Sequence, residues 1–169
     1  MKKLLSICVC VFCLLVGSQL VAQSQGDLRA SVGLGLGTNA SFGDNAFDSA
    51  MGLGLVLGAE YLITDDLSIA PSYEYYFPEK FGDSKYRKSS FNVDGRYYFD
   101  QFYGLAGISF ASYTGTDGNG DSLTLTETGL NLGGGMNIPI NDSMDLNLQA
   151  KYNTPLEQLA LQAGLSFNF

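Results

Sequence analysis

From Asp27 onward a bulky apolar residue stands at every second position, and this alternation recurs along most of the chain. Leu28, Ala30, Val32, Leu34 and Leu36 alternate with Arg29, Ser31, Gly33, Gly35 and Gly37. Segments 51–61, 67–77, 91–99, 144–152 and 159–169 repeat the pattern, each with one apolar face and one polar or tiny face. A period of two sends successive side chains to opposite sides of an extended backbone, so each segment is predicted as a β-strand. Two further strands are less regular. In 102–113 both phases carry large apolar groups, and we assign Phe102, Ala106, Ile108 and Phe110 to the apolar face. In 123–138 the phase of Leu123 and Leu125 does not match that of Leu130, Leu132, Met136 and Ile138. A bulge, or an extension beyond the apolar zone, would account for that change. The expected total is eight strands in one domain, 27–169.

Residues 1–22 stand apart. Lys2 and Lys3 precede an apolar run that is too short to span a bilayer as a helix and ends in small residues. This is the layout of a cleaved secretory signal peptide, with cleavage expected after Ala22. Cys8, Cys10 and Cys13, the chain's three cysteines, all lie in it. Ile7, Val9 and Phe12 precede them where a lipid-modified cysteine would need a small residue, so lipidation is not expected. The mature chain then has no thiol and no disulfide framework. Without Lys2 and Lys3 it keeps seven basic side chains against 17 acidic ones, a poor balance for binding nucleic acid. The absence of histidine removes the commonest general base and metal ligand.

The connections alternate in length. Long polar segments, roughly 38–50, 78–89 and 114–122, follow the first, third and fifth strands. Short ones at 64–66, 100–101 and 139–143 follow the second, fourth and sixth, and 153–158 is an outer loop kept short. Such segregation describes an up-and-down meander of neighbouring strands. A soluble sandwich and a membrane barrel share the period of two but bury opposite faces. Here the bulky face carries Leu, Tyr and Phe, and the other carries Gly, Ser, Asn and Gln with few charges. An eight-stranded barrel has an interior only just filled by side chains. Glycines on two adjacent strands are expected to leave room there for longer inward groups from the opposite wall, and the apolar face is left for lipid. Tyr61, Tyr73, Phe77, Phe91, Phe99 and Phe167 are expected near its rims. Lipid also demands closure, because unpaired edge amides and carbonyls are costly in hydrocarbon.

The last strand, with Leu161, Ala163, Leu165 and Phe167 alternating up to a terminal Phe169, resembles the C-terminal signal of bacterial outer-membrane β-barrels. With the signal peptide, strand count and loop asymmetry, the whole mature chain is similar to small barrels of the OmpA/OmpX type, the outer membrane protein beta-barrel domain. The resemblance implies an eight-stranded antiparallel transmembrane barrel in the cell outer membrane of a Gram-negative bacterium. It further implies periplasmic termini, extracellular long loops and recognition by the barrel-assembly machinery. Expected partners are outer-membrane lipid and lipopolysaccharide, and the protein is expected to be monomeric.

The polar faces hold Arg29, Glu60, Glu74, Asp94, Arg96, Asp145 and Lys151, which in a barrel point into a narrow lumen. Unpaired buried charges are costly, so these are expected to pair as a polar plug without an open aqueous pore. Lys80, Lys85, Arg87 and Lys88 form the basic cluster of the second long segment, a candidate contact for lipopolysaccharide phosphates. Gly33, Gly35, Gly37, Gly52, Gly54 and Gly58 superficially suggest a dinucleotide loop, but they lie inside alternating strands rather than at a strand-to-helix turn. Asp117, Asn119 and Asp121 are spaced like calcium ligands. However, Ser122 replaces the turn glycine and Glu127 falls one position short of the closing carboxylate, leaving a solvated hairpin tip. Neither metal nor cofactor is therefore expected. Small barrels that act on lipid use a His beside a Ser, and no such His exists here, so an enzyme is not expected. The expected role is structural or surface-interacting. The alternative is a carrier or narrow channel for small molecules, with Val56, Leu62, Tyr76 and Tyr98 lining a partial pocket.

Overall fold

The computed structural model describes residues 25–39, 52–81, 84–116, 118 and 120–169. The signal segment, the tip of the first long connection, and Asp117 and Asn119 lie outside the described residues. The strands are β1 (Leu28–Asn39), β2 (Gly52–Leu62), β3 (Leu67–Tyr76), β4 (Glu79–Phe81) and β5 (Ser84–Phe99). They continue with β6 (Phe102–Thr116), β7 (Ser122–Asn141), β8 (Met144–Asn153) and β9 (Gln158–Asn168). Every pairing is antiparallel. Sequential neighbours pair, β1 also pairs with β9, and β3 also pairs with β5, so the sheet closes on itself.

The nine strands of the described residues make eight staves, because β3 and β4 both lie against β5 along one stave. Between Tyr75↔Ser89 and Glu79↔Tyr86, three residues on one side face two on the other. The surplus residue falls at Phe77-Pro78, and a proline cannot donate to the ladder. The expected loop 78–89 is thus corrected. The polar sequence there continues the hairpin, since charged residues pair as well as apolar ones once a strand has left the lipid zone. The segment 114–122 is shortened in the same way, with β6 running to Thr116 and β7 starting at Ser122. The expected connection 139–143 also shrinks, because β7 runs to Asn141 through a register shift at Pro139/Asn141.

The barrel is apolar outside and polar inside. Outward Leu34, Leu57 and Leu132 are 53%, 55% and 69% exposed, whereas inward Glu74, Asp94 and Lys151 are each 1% exposed. Strand β6 takes the assigned facing, with Phe102, Ala106, Ile108 and Phe110 outward and Tyr103, Leu105, Ser109 and Ala111 buried. The β6–β7 register is unbroken from Phe102↔Met136 to Thr116↔Ser122, so no bulge explains Leu123 and Leu125. They stand on the hairpin extension, where residues 121–128 are all exposed.

The short turns share one end with both ends of the described chain, where Gly26 N–H donates to the Leu62 carbonyl and Phe169 N–H to that of Leu28. In the β5–β6 turn Asp100 adopts a left-handed backbone (φ 65°), which a short polar side chain tolerates. At the opposite end the turn after β8 folds across the mouth. Leu156 is buried on Tyr76 and Ala111, Tyr113 OH donates to the Pro155 carbonyl at 2.6 Å, and Asn153 Oδ1 accepts from Leu156 N–H at 3.0 Å.

Candidate functional site

Inward positions come from one phase of each strand, so the lumen lining is fixed once the outer face is given to the bulky residues. Glycines on that phase make space for large neighbours. A Cβ at Gly54 would run into Tyr76, one at Gly107 into Asp94, one at Gly135 into Tyr103 and one at Gly133 into Lys151. In each case the large residue is the glycine's direct cross-strand partner. At these four positions the space is taken by the adjacent strand.

The structure places all seven charged lumen residues inside and sorts them into two layers. Toward the mouth, Lys151 Nζ lies 2.6 Å from Glu74 Oε1 and 3.5 Å from Asp94 Oδ2. Tyr76 OH donates to Glu74 Oε2 at 2.9 Å, Asn92 Nδ2 to Glu74 Oε1 at 3.1 Å, and Asn131 Nδ2 to Asp94 Oδ1 at 2.8 Å. Nearer the short turns, Arg96 Nη1 lies 2.9 Å from Glu60 Oε2, while Glu60 Oε1 accepts from Ser68 Oγ and Tyr98 OH, each at 2.5 Å. Arg96 Nη2 and Tyr103 OH both donate to Gln149 Oε1 at 3.1 Å. Asp145 accepts from Asn168 Nδ2 at 3.1 Å. Arg29 stands opposite Glu60 in the β1–β2 register, yet its assigned contact is the face of Tyr98, 5.9 Å from ring centroid to guanidinium carbon. Among the described residues its buried Nε and Nη1 have no hydrogen-bond partner.

A cavity of about 30 Å³ lies beside Arg29, Glu60, Arg96, Gln149 and Gln162. Of the four inward groups considered for a pocket, Val56 lines it and Leu62 is fully buried outside its lining; Tyr76 packs in the cluster at the mouth and Tyr98 in a separate one with Tyr103 and Leu105. These groups do not combine into one apolar chamber. Sequence reasoning that followed charges missed the amides and hydroxyls that complete the network, Asn92, Asn131, Asn153, Gln149 and Tyr103 among them. Their signal was the same alternation, read for polarity instead of charge.

The basic cluster does not form one face. Lys80 is the direct partner of Lys85. Lys85 and Arg87 are exposed on the phase of outward-facing Phe91, and Lys88 belongs to the opposite phase, partly buried. On the last strand, Leu161, Ala163, Phe167 and terminal Phe169 are exposed and Leu165 is half-buried.

Known structures share this architecture. Ail, the attachment invasion locus protein of Yersinia pestis, matches at 16% identity with a TM-score of 0.63, covering 86% of this chain and 99% of that one. Neisserial surface protein A matches at 22% identity and 0.64, covering 85% and 96%. The N-terminal β-barrel domain of Pseudomonas aeruginosa OprF matches at 18% and 0.60, covering 87% and 100%. These likenesses concern the fold. No curated protein matches the sequence. The family described as outer membrane protein beta-barrel domain matches residues 9–169, nearly the whole chain. An inside-out closed barrel with a paired polar interior and this family match lead to one assignment: the chain belongs to the outer membrane protein beta-barrel domain family.

Proposed function

We propose that this outer-membrane barrel is a non-catalytic structural and surface-presenting protein whose lumen is plugged by its own side chains. The observation that carries the reading is Lys151, fully buried and held between Glu74 and Asp94 beneath a mouth covered by Leu156. An ion crossing the lumen would have to displace paired buried charges, and separating such a pair costs several kcal/mol. The short turns and chain ends face the periplasm in this reading, and the extended β4–β5 and β6–β7 hairpins face outward. Reconstitution in planar bilayers should give no sustained single-channel openings; persistent openings of uniform conductance would overturn the plug.

Outer-leaflet lipopolysaccharide is the proposed partner of the hairpin stem. Going outward along β5, Phe91 is followed by Ser89, Arg87 and Lys85 on the same phase. An aromatic belt followed by cations suits an acyl–phosphate boundary. Ail has been crystallised with the heparin analogue sucrose octasulfate, so a barrel of this fold can take a polyanionic sugar. Replacing Lys80, Lys85, Arg87 and Lys88 by Gln should lower the lipopolysaccharide that co-purifies with the barrel, and unchanged retention would refute the contact. Leu161, Ala163, Leu165, Phe167 and Phe169 are proposed as the strand that the assembly machinery reads.

A further inference from the structure

The cavity beside Arg29 has an unusual chemical bias. Among the described residues four buried donors have no partner, Arg29 Nε, Arg29 Nη1, Arg96 Nε and Gln162 Nε2, and they belong to three residues that line it. The amide orientations are fixed by a chain of contacts. Arg96 Nη2 can only donate, so Gln149 must present its oxygen to it, at 3.1 Å. Gln149 Nε2 then donates to Gln162 Oε1 at 3.0 Å, which leaves Gln162 Nε2 as the free end. Reversing either amide would set like groups against each other.

Charge points the same way. Two guanidinium groups share the cavity with one carboxylate, Glu60, whose oxygens already accept from Ser68, Tyr98 and Arg96. Asp145 does not line the cavity and is engaged by Asn168. Among the described residues Arg29, 5% exposed, makes no ion pair, and a buried charge in that state is strongly destabilising. Water could accept these hydrogen bonds but would bring no compensating charge. We propose that the lumen holds one small monovalent anion of halide size, bound between Arg29, Arg96 and Gln162. Ser31 and Ser166 also line the cavity and can turn their hydroxyl hydrogens toward it. The volume of about 30 Å³ suits such an ion. A water needs about 10–15 Å³ on this scale, so the space exceeds that of a single water.

The proposal is independent of whether the barrel conducts, and its test reads a bound ion instead of a current. The full chain is refolded in detergent in sodium bromide or in sodium gluconate at equal ionic strength, then desalted, and bromine is counted per chain by mass spectrometry. Close to one bromide per chain is expected after refolding in bromide, together with a higher melting temperature than in gluconate. Arg29→Met should lose both effects, while Lys85→Gln, on the outer hairpin, should keep them. No retained bromide in the wild-type protein, with equal melting temperatures in the two salts, would mean that the cavity holds water and would overturn the proposal. Bromide retained equally by Arg29→Met would also overturn it, by placing the ion elsewhere. Should that variant not refold, the wild-type bromide count alone decides.

Discussion

At the scale of the residue, Lys151 shows how a charge is accommodated inside this molecule. Its ammonium is fully enclosed and faces two carboxylates, and the remaining oxygens are satisfied by Tyr76 OH on Glu74 and the Asn131 amide on Asp94. Replacing Lys151 by Met keeps the volume but leaves two facing carboxylates, so we expect a loss of about 3–5 kcal/mol, seen as a lower urea midpoint for unfolding from lipid vesicles. Adding Glu74→Gln and Asp94→Asn to Lys151→Met should recover part of that loss, because it removes the buried charges rather than their partner; a triple variant as weak as the single one would contradict this account. That Lys151 faces inward was legible from alternation alone. Its partners were not, because they lie on β3 and β5, and the pairing depends on how far each strand rises around the barrel, which no local pattern records.

At the scale of the element, strands change solvent along their own length. The stretch of β7 from Leu130 onward alternates as a lipid-facing strand should, while 122–129 pairs with β6 outside that zone and follows no such rule. Leu123 and Leu125, 68% and 56% exposed, sit on the lumen phase above the barrel wall, which is why their phase contradicted the rest of the strand. Replacing both by Ser should move unfolding stability by no more than about 0.5 kcal/mol each, as for ordinary surface positions. Leu34→Arg, at the centre of β1, should instead cost about 2–4 kcal/mol, the range for a cation near the bilayer midplane. Refolding yields and urea midpoints in vesicles of one lipid composition would compare the two directly. The element boundaries that sequence missed have a common cause. Polar residues in 78–89 and 114–122 read as loop, but a hairpin in water needs only ladder hydrogen bonds and not an apolar face. The cover provided by Leu156 was hidden for another reason: a single leucine in a short turn has no periodicity.

At the scale of the whole molecule, the barrel exists only if β1 meets β9. Gly33 and Gly164 face each other across that seam, and a Cβ on Gly164 would come within 2.9 Å of the Gly33 Cα and 2.7 Å of the Val32 carbonyl oxygen. Gly164→Val should therefore weaken closure by about 1–3 kcal/mol or more, as overpacking does elsewhere. The readout is the fraction of chain that runs as the compact, heat-sensitive band in an unboiled gel. A folded fraction equal to wild type would show that the seam tolerates bulk. Architecture at this scale was largely visible in the sequence, since eight alternating segments with a bulky apolar face leave few alternatives to a closed, inside-out sheet. The size of the cavity and the identity of the opposing pairs were not.

The pairing of large residues with glycines has one more consequence. Alternation alone cannot tell a strand from the same strand displaced by two residues, because every side chain would still face the correct side. The lumen breaks that degeneracy. Displacement in one direction would set Tyr76 against Val56, Tyr103 against Asn137 and Lys151 against Asn131, and in either direction Asp94 would meet Leu105 or Ser109. Displacement the other way sets the first three against Gly52, Gly133 and Gly135, so Asp94 opposite Gly107 is the pair that fits in one alignment and the other three oppose slippage in one direction. Since offset summed around a barrel determines strand tilt and girth, these residues without side chains bias how wide the cylinder is.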